Sequence, residues 1–274
     1  MIGVHPALSM QLLFPCDPFN KRLADEAYGE EYDAMRAAGF VCSLFSFEDF
    51  EAGQFKAQPT LSAGVDVLYR GWMLTPDGYA RLHQGVAQLD CAMMTSPTQY
   101  RHCHYLPEWY ALCAEFTPET VIVARDADFA AAVAGRNWPA YFVKDYVKSL
   151  TTQRGSVAAT PHEIAEVVGL IERYRGAVEG GVCIRKFEQL QADSEERYFV
   201  LRRQAFGREG SAPALVHELA RRIDSPFFSV DVVASSEGEL RLIELGDGQV
   251  SDRKQWPVER FMAMLNGMPW NADS

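Results

Sequence analysis

What the chain lacks narrows it first. No apolar run approaches the ~20 residues that a bilayer-spanning helix needs, so no membrane partner is expected. Basic residues are scarce beside acidic ones, 26 Lys and Arg against 37 Asp and Glu. The resulting net charge of −11 argues against a general nucleic-acid binder, although a local basic cleft remains open. Neither a P-loop nor a GxGxxG fingerprint occurs. The six cysteines, Cys16, Cys42, Cys91, Cys103, Cys113 and Cys183, form no CxxC pair. In a chain of this size they read as reduced, mostly buried thiols of a cytoplasmic protein. His102, Cys103 and His104 are adjacent, but neighbours on a strand or helix point apart, so no metal is expected there. The beginning, MIGVHPALSMQLLF, has neither the basic start nor the cleavage site of a secretory signal. Internal repeats and low-complexity tracts are also missing.

What is present is most concentrated at 227–250, FFSVDVVASSEGELRLIELGDGQV. Phe228, Val230 and Val232 alternate with Ser229, Asp231 and Val233, the period of a strand. Residues 235–238 are turn material, and Leu240, Leu242 and Ile243 rebuild a strand that runs into Glu244. A two-residue loop would set Asp231 opposite Glu244; a four-residue loop would set it on the diagonal. Either register puts both acids on one face, where opposed Cβ atoms lie roughly 4.5–5.5 Å apart. Carboxylates that close repel unless a proton or cation lies between them. Asp247, in a glycine-flanked turn, can fold back to the same point. Three hard oxygen ligands suit Mg²⁺, which shares phosphate oxygens with a nucleotide. The alternative is a hairpin with ordinary surface acids.

The 274 residues suffice for two or three lobes. Strands are expected at 10–14, 40–47, 65–69 and 92–95, alternating with helices at 25–38, 76–89 and from 97 onward. This alternation predicts an α/β domain with a mainly parallel sheet over 1–115. After the Thr117-Pro118 break, strands are expected at 121–124, 140–146 and 182–187, with helices at 126–135 and from Thr160. Thr160, Pro161 and Glu163 make a capping box, and Ile164, Val167, Val168 and Ile171 make an apolar face. A lid over 116–187 follows. The last domain, 188–274, holds a strand at 197–206, a helix at 213–223, the carboxylate hairpin, and a closing helix at 258–265.

Lys144 stands on a strand just before the polar loop TTQRGS. A lysine offers a compact charge to phosphate, and such a loop can donate backbone N–H groups over it. A solvated edge lysine is the plainer reading. Arg185 and Lys186, beside Ile184 and Phe187, could border an adenine slot, or simply form one wet face of a lid strand.

This order of features resembles the ATP-grasp superfamily: a strand lysine, a Gly/Ser loop, a capped helix, a hinge strand, an E-x-R strand and a D…E-x-x-D hairpin. Within it the chain is most similar to a clade of small ATP-grasp proteins named for two arginines and a lysine, over about 90–265. The resemblance implies a mixed α/β and α+β ATP-grasp fold: an N-terminal α/β domain, a lid and a C-terminal α+β domain. It implies that Lys144 meets ATP phosphates and that 153–156, including Gly155 and Ser156, covers them. By the same likeness Ile184, Arg185, Lys186 and Phe187 form the adenine hinge, Glu195 and Arg197 supply the E-x-R pattern, and Asp231, Glu244 and Asp247 hold Mg²⁺. Many relatives carry an arginine where this chain has Ser229, so Arg202, Arg203 or Lys254 would have to stabilise the transferred phosphoryl group. An earlier phosphate-binding lysine has only Arg101 or Arg125 as counterparts. The implied activity is ADP-forming ligation of a small-molecule or peptide carboxylate to an amine or thiol, with a homodimer allowed. Phosphotransfer to a hydroxyl, or nucleotide binding without turnover, are the rival readings.

Overall fold

The computed structural model describes residues 10–149 and 155–267. The chain packs as two compact units. One comprises 1–101, 197–229 and 246–274; the other comprises 102–196 and 230–245.

The first unit is built on a sheet of five strands: β1 (Met10–Pro15), β2 (Val41–Phe45), β3 (Ala57–Gln58), β4 (Asp66–Tyr69) and β5 (Ala92–Met93), in the order β3-β2-β1-β4-β5. β1 pairs in parallel with β2 and β4, and every residue of β1 is buried. A strand buried on both faces divides its side chains by period two. Leu12 and Phe14 face Met35 of α1 (Gly29–Ala37) and Phe261, Met264 and Leu265 of a helix near the chain's end. Leu13 faces the opposite way, into a core with Phe50 of α2 (Phe47–Glu51) and with Tyr79, Leu82 and Val86 of α3 (Pro76–Ala87). α3 begins where the sequence predicts: the Thr75 hydroxyl accepts from the Gly78 N–H at 3.1 Å, and Pro76 occupies the first turn, where its missing N–H costs nothing. α4 (Pro97–His104) follows β5.

The helical stretch expected from 97 onward is two helices, α4 and, in the second unit, α5 (Leu106–Cys113). The sheet of the second unit consists of β6 (Thr120–Val123), β7 (Tyr141–Asp145), β8 (Val157–Ala158) and β9 (Val182–Lys186), antiparallel in the order β6-β9-β7-β8. The helix expected over 126–135 shortens to α6 (Phe129–Ala132), capped by the Asp128 side chain and closed before Gly135 turns left-handed at φ 78°. The expected capping box at Thr160 holds in modified form. Glu163 accepts from the Thr160 hydroxyl at 3.0 Å and from the Ala159 N–H at 3.1 Å; a 3₁₀ turn then leads into α7 (Ile164–Arg175). Ile164, Val167, Val168 and Ile171 bury against Tyr141, Val143, Val182 and Ile184.

The third sheet has the order β11-β10-β12-β13, from β10 (Glu196–Leu201), β11 (Gln204–Phe206), β12 (Phe227–Ala234) and β13 (Leu240–Asp247). The single strand expected over 197–206 is instead a hairpin. Arg202 and Arg203 both take positive φ, 49° and 67°, which is the backbone of a two-residue hairpin turn without the usual Asn or Gly. α8 (Ala214–Arg222) precedes β12, and α9 (Val258–Leu265) closes the described chain within the bounds expected for it. Among the described residues no helix is long and apolar enough to cross a membrane.

Candidate nucleotide site

β7 and β9 carry the chemistry on one of their two faces. Lys144 lies opposite Cys183 and Phe142 opposite Arg185. Residues opposed in an antiparallel pair share a face, so Phe142, Lys144, Cys183 and Arg185 stand together. Val143 and Ile184 point the other way, into the core beneath α7. Ile184, expected at the adenine hinge, is therefore a fully buried core residue.

Lys144 is buried, and its ammonium donates to Glu244 Oε1 at 3.1 Å. The two side chains are 6% and 40% exposed. An ammonium out of water needs such a partner. Next to Lys144, Asp145 accepts from the N–H groups of Val147, Lys148 and Glu179 and pairs with Arg175 at 2.5 Å. This fixes the turn that ends β7. Gln153 and Arg154 of the expected phosphate-covering loop, and Thr151 and Thr152 before it, lie outside the described residues. Of its remainder, Gly155 has φ 66°, and buried Ser156 accepts the Val143 N–H through its carbonyl at 2.8 Å.

A cavity of about 240 Å³ lies on this side of the unit. Phe142, Val157, Phe187, Leu190 and Ile243 make it apolar, and Arg185, Lys186 and Glu188 border it. Apolar walls with a few polar groups suit a flat heterocycle. Arg185 does not point freely into it. Nη1 donates to Ile243 O at 3.0 Å and Nη2 to Thr117 Oγ1 at 2.5 Å, while Thr117 Oγ1 donates to Leu242 O at 2.8 Å. These bonds cap carbonyls of β13, which is an edge strand. Burial lowers the Arg185 pKa to about 10 and raises that of Cys183 to about 12, so this thiol stays protonated and inert.

The hairpin differs from both loops considered above. Ser235 N–H donates to Glu239 O at 2.8 Å and Gly238 N–H to Ser235 O at 3.0 Å, leaving three residues between. Along β13 the buried positions are Leu242, Leu245 and Asp247. The alternation therefore slips by one near Glu244, as an extra residue in one strand makes it do.

The three expected Mg²⁺ acids are divided between the two units. Asp231, buried, and Glu244 belong to the second unit, and Asp247 to the first. Among the described residues no group of three His, Cys, Asp or Glu side chains is arranged to hold a metal. Asp247 is fully buried; its Oδ1 accepts from the Gln249 backbone at 3.0 Å and side chain at 3.1 Å, while Oδ2 meets the geometry of a hydrogen bond with none of the described residues. Burial pushes its pKa up to about 7, so this carboxyl calls for a proton or a cation. Mg²⁺ fits best with one or two carboxylates and the phosphates of a nucleotide, a role open to Glu244 and Asp231.

The remaining candidates lie as follows. Glu195 is exposed just before β10. Arg197 donates to Asp252 O and Oδ1, both at 2.9 Å, and its carbonyl accepts from Trp256 Nε1 at 2.8 Å. Arg202 is half-exposed in the β10–β11 turn, 3.9 Å from Asp66. Lys254, with φ 46°, is exposed, and its N–H donates to Asp252 at 3.0 Å. Ser229 bonds Ser251 at 2.7 Å. Sequence reasoning missed Phe142, Ile243 and Thr117. Period two from Lys144 points to Phe142 and adjacency to Glu244 points to Ile243, but nothing local points to Thr117.

An antiparallel sheet that carries a buried lysine beside an apolar slot, followed by a hairpin rich in acids, is the arrangement that the ATP-grasp resemblance implies. The family model for the ATP-grasp domain, family 3 of the clade named for two arginines and a lysine, matches residues 119–265. That is more than half of the chain, and the chain belongs to this family. Comparison with curated proteins finds no match. Solved structures share the fold. A RimK-domain ATP-grasp protein from Sphaerobacter thermophilus is 19% identical with a TM-score of 0.60, over 93% of this chain and 97% of that one. The D-alanine-D-alanine ligase from Coxiella burnetii is 12% identical with a TM-score of 0.61, over 95% and 91%. The ATP-grasp ligase PsnB, in complex with a minimal precursor, Mg and ADP, is 13% identical with a TM-score of 0.59, over 94% and 97%.

Proposed function

We propose that this ATP-grasp enzyme is an ADP-forming ligase that joins a carboxylate to an amine through an acylphosphate. The observation that carries the reading is the buried Lys144 ammonium, 3.1 Å from Glu244, on the same β7–β9 face as a cavity able to take adenine. In the first step a substrate carboxylate oxygen attacks the γ-phosphorus of ATP, the bond to the β–γ bridging oxygen breaks, and ADP leaves. In the second, an amine nitrogen attacks the acyl carbon, the C–O bond to phosphate breaks, and the amine loses a proton. Lys144 neutralises charge on the nucleotide phosphates, and Phe142, Phe187 and Ile243 hold the base. Glu244, with Asp231, would hold Mg²⁺, which supplies electrostatic stabilisation of the transferring oxygens. Two fold neighbours support the reading: PsnB, an ATP-grasp ligase in complex with a minimal precursor, Mg and ADP, and a D-alanine-D-alanine ligase.

The test is ADP release with matched panels of carboxylic acids and amines. Release that requires both substrates is expected. A phosphorylated product from one hydroxyl acceptor would replace ligation by phosphotransfer, and saturable ATP binding with no ADP under any pairing would reduce the chain to a binding module.

A further inference from the structure

The first unit contains a second concavity, built on different chemistry. Its volume is about 620 Å³, within the rough 300–1,000 Å³ range of ligand sites. Lys21, Arg22 and Arg36 border it, and among the described residues no carboxylate lines it, in a chain of net charge −11. The floor is apolar: Tyr32, Cys42 and Leu44 are buried and Phe40 half-buried. Beside it runs a strand edge. β3 pairs only with Leu44 and Phe45, because the next residue, Pro59, brings no N–H. Past that pairing β2 runs back through buried Ser43 and Cys42 to Val41, which is 54% exposed.

We propose that this concavity is a docking site for an acidic peptide segment in which carboxylates flank an apolar side chain. A free inorganic anion would match the cations and leave the floor wet. A fatty acid would cover the floor but match only one of three cations. A nucleobase needs an open aromatic face. The Tyr32 ring is instead engaged by Arg36, 5.5 Å from its centroid, and by the edge contact with Phe14 at 5.6 Å; Phe40 packs against the core. An extended peptide sends alternate side chains to opposite sides. It can therefore set an apolar group on the floor and acids against Arg22 and Arg36. Lys21 already pairs with Asp49 at 2.5 Å, so the two arginines carry most of the attraction.

The test uses the full-length protein and a fluorescein-labelled peptide of alternating glutamate and leucine, read by anisotropy. Arg22 and Arg36 are both exposed, so Arg22→Glu/Arg36→Glu should keep the wild-type melting temperature and ATP affinity. Its peptide affinity should fall at least about tenfold, binding should weaken with salt, and the glutamine version of the peptide should not bind. Equal affinity for the variant, or for the glutamine peptide, would overturn the proposal. So would displacement by millimolar phosphate, which would mark an anion site only, or equally tight binding of oligothymidylate, which would mark a nucleic-acid site.

Discussion

Lys144 is a cation held where a cation alone would be costly, and Glu244 is what makes the position tolerable. On the proposed function, nucleotide phosphates would replace that carboxylate as the lysine's partner and free Glu244 for a metal. Two substitutions separate these roles. Lys144→Met keeps an unbranched stem in the buried position and leaves Glu244 half in water. Stability should hold within about 1 kcal/mol, while ATP affinity measured by calorimetry falls at least tenfold, about 1.4 kcal/mol. Unchanged affinity in the folded variant would remove Lys144 from the site. Glu244→Gln keeps an acceptor for Lys144 but removes the charge. Stability should fall by roughly 1–3 kcal/mol, because the buried ammonium keeps an acceptor but loses its counter-charge, while ADP release drops by orders of magnitude. A large stability loss with intact turnover would make Glu244 a structural partner of the lysine. The strand on which each residue lies was legible, from the alternation around it. Their pairing was not, because a contact across 100 positions depends on how β7 and β13 meet, which no local pattern encodes.

Elements were legible where local chemistry decides them. Thr75-Pro76 and Thr160-Pro161 announce helices because hydroxyls and prolines suit first turns. The Arg202-Arg203 turn was illegible because neither residue favours the left-handed backbone, and the flanking strands impose it. Arg185 read as a ligand-facing cation, yet it caps the β13 edge. Arg185→Met should leave the Ile243 carbonyl and the Thr117 hydroxyl short of a donor and cost roughly 2–3 kcal/mol in urea unfolding. A loss below about 0.5 kcal/mol would show that water substitutes for the cap. α4 contributes a pH term. His104 has an enclosed Nε2, and burial, helped by Lys148, lowers its pKa to about 3 from 6.5. The folded state thus binds fewer protons than the unfolded one. Its stabilising contribution is complete above about pH 6.5 and is lost as pH falls toward 3. By about pH 5 the loss should reach roughly 2 kcal/mol. His104→Gln should flatten stability between pH 7 and 5 by that amount; an unchanged slope would assign acid sensitivity to other groups.

At the scale of the molecule, composition breaks divide the chain linearly at 115 and 187, because sequence signals run along the chain. Packing groups it otherwise: the first unit takes in 197–229 and 246–274 as well as the N-terminal sheet. The reason is visible on one face of β1. Leu12, Phe14 and Met35 share a core with Phe261, Met264 and Leu265 of α9. Arg70, fully buried and paired with Glu31 at 2.5 and 3.0 Å, donates its remaining bonds to the carbonyls of Gly248, at 2.5 Å, and Ser251, at 3.1 Å. Removing 246–274 would expose the apolar face of the parallel sheet and strip this buried guanidinium of two acceptors. Each loss is comparable to a large core truncation, roughly 3–5 kcal/mol, against a total of about 5–15 kcal/mol for a typical fold. A chain ending at residue 245 should therefore show no cooperative melting of its N-terminal sheet, whereas Phe261→Ala in the full chain should lower stability by about 3–5 kcal/mol and still fold. A truncated chain that melts cooperatively at the full-length temperature would mean that the N-terminal sheet stands without α9, and that the shared core contributes far less than its burial implies.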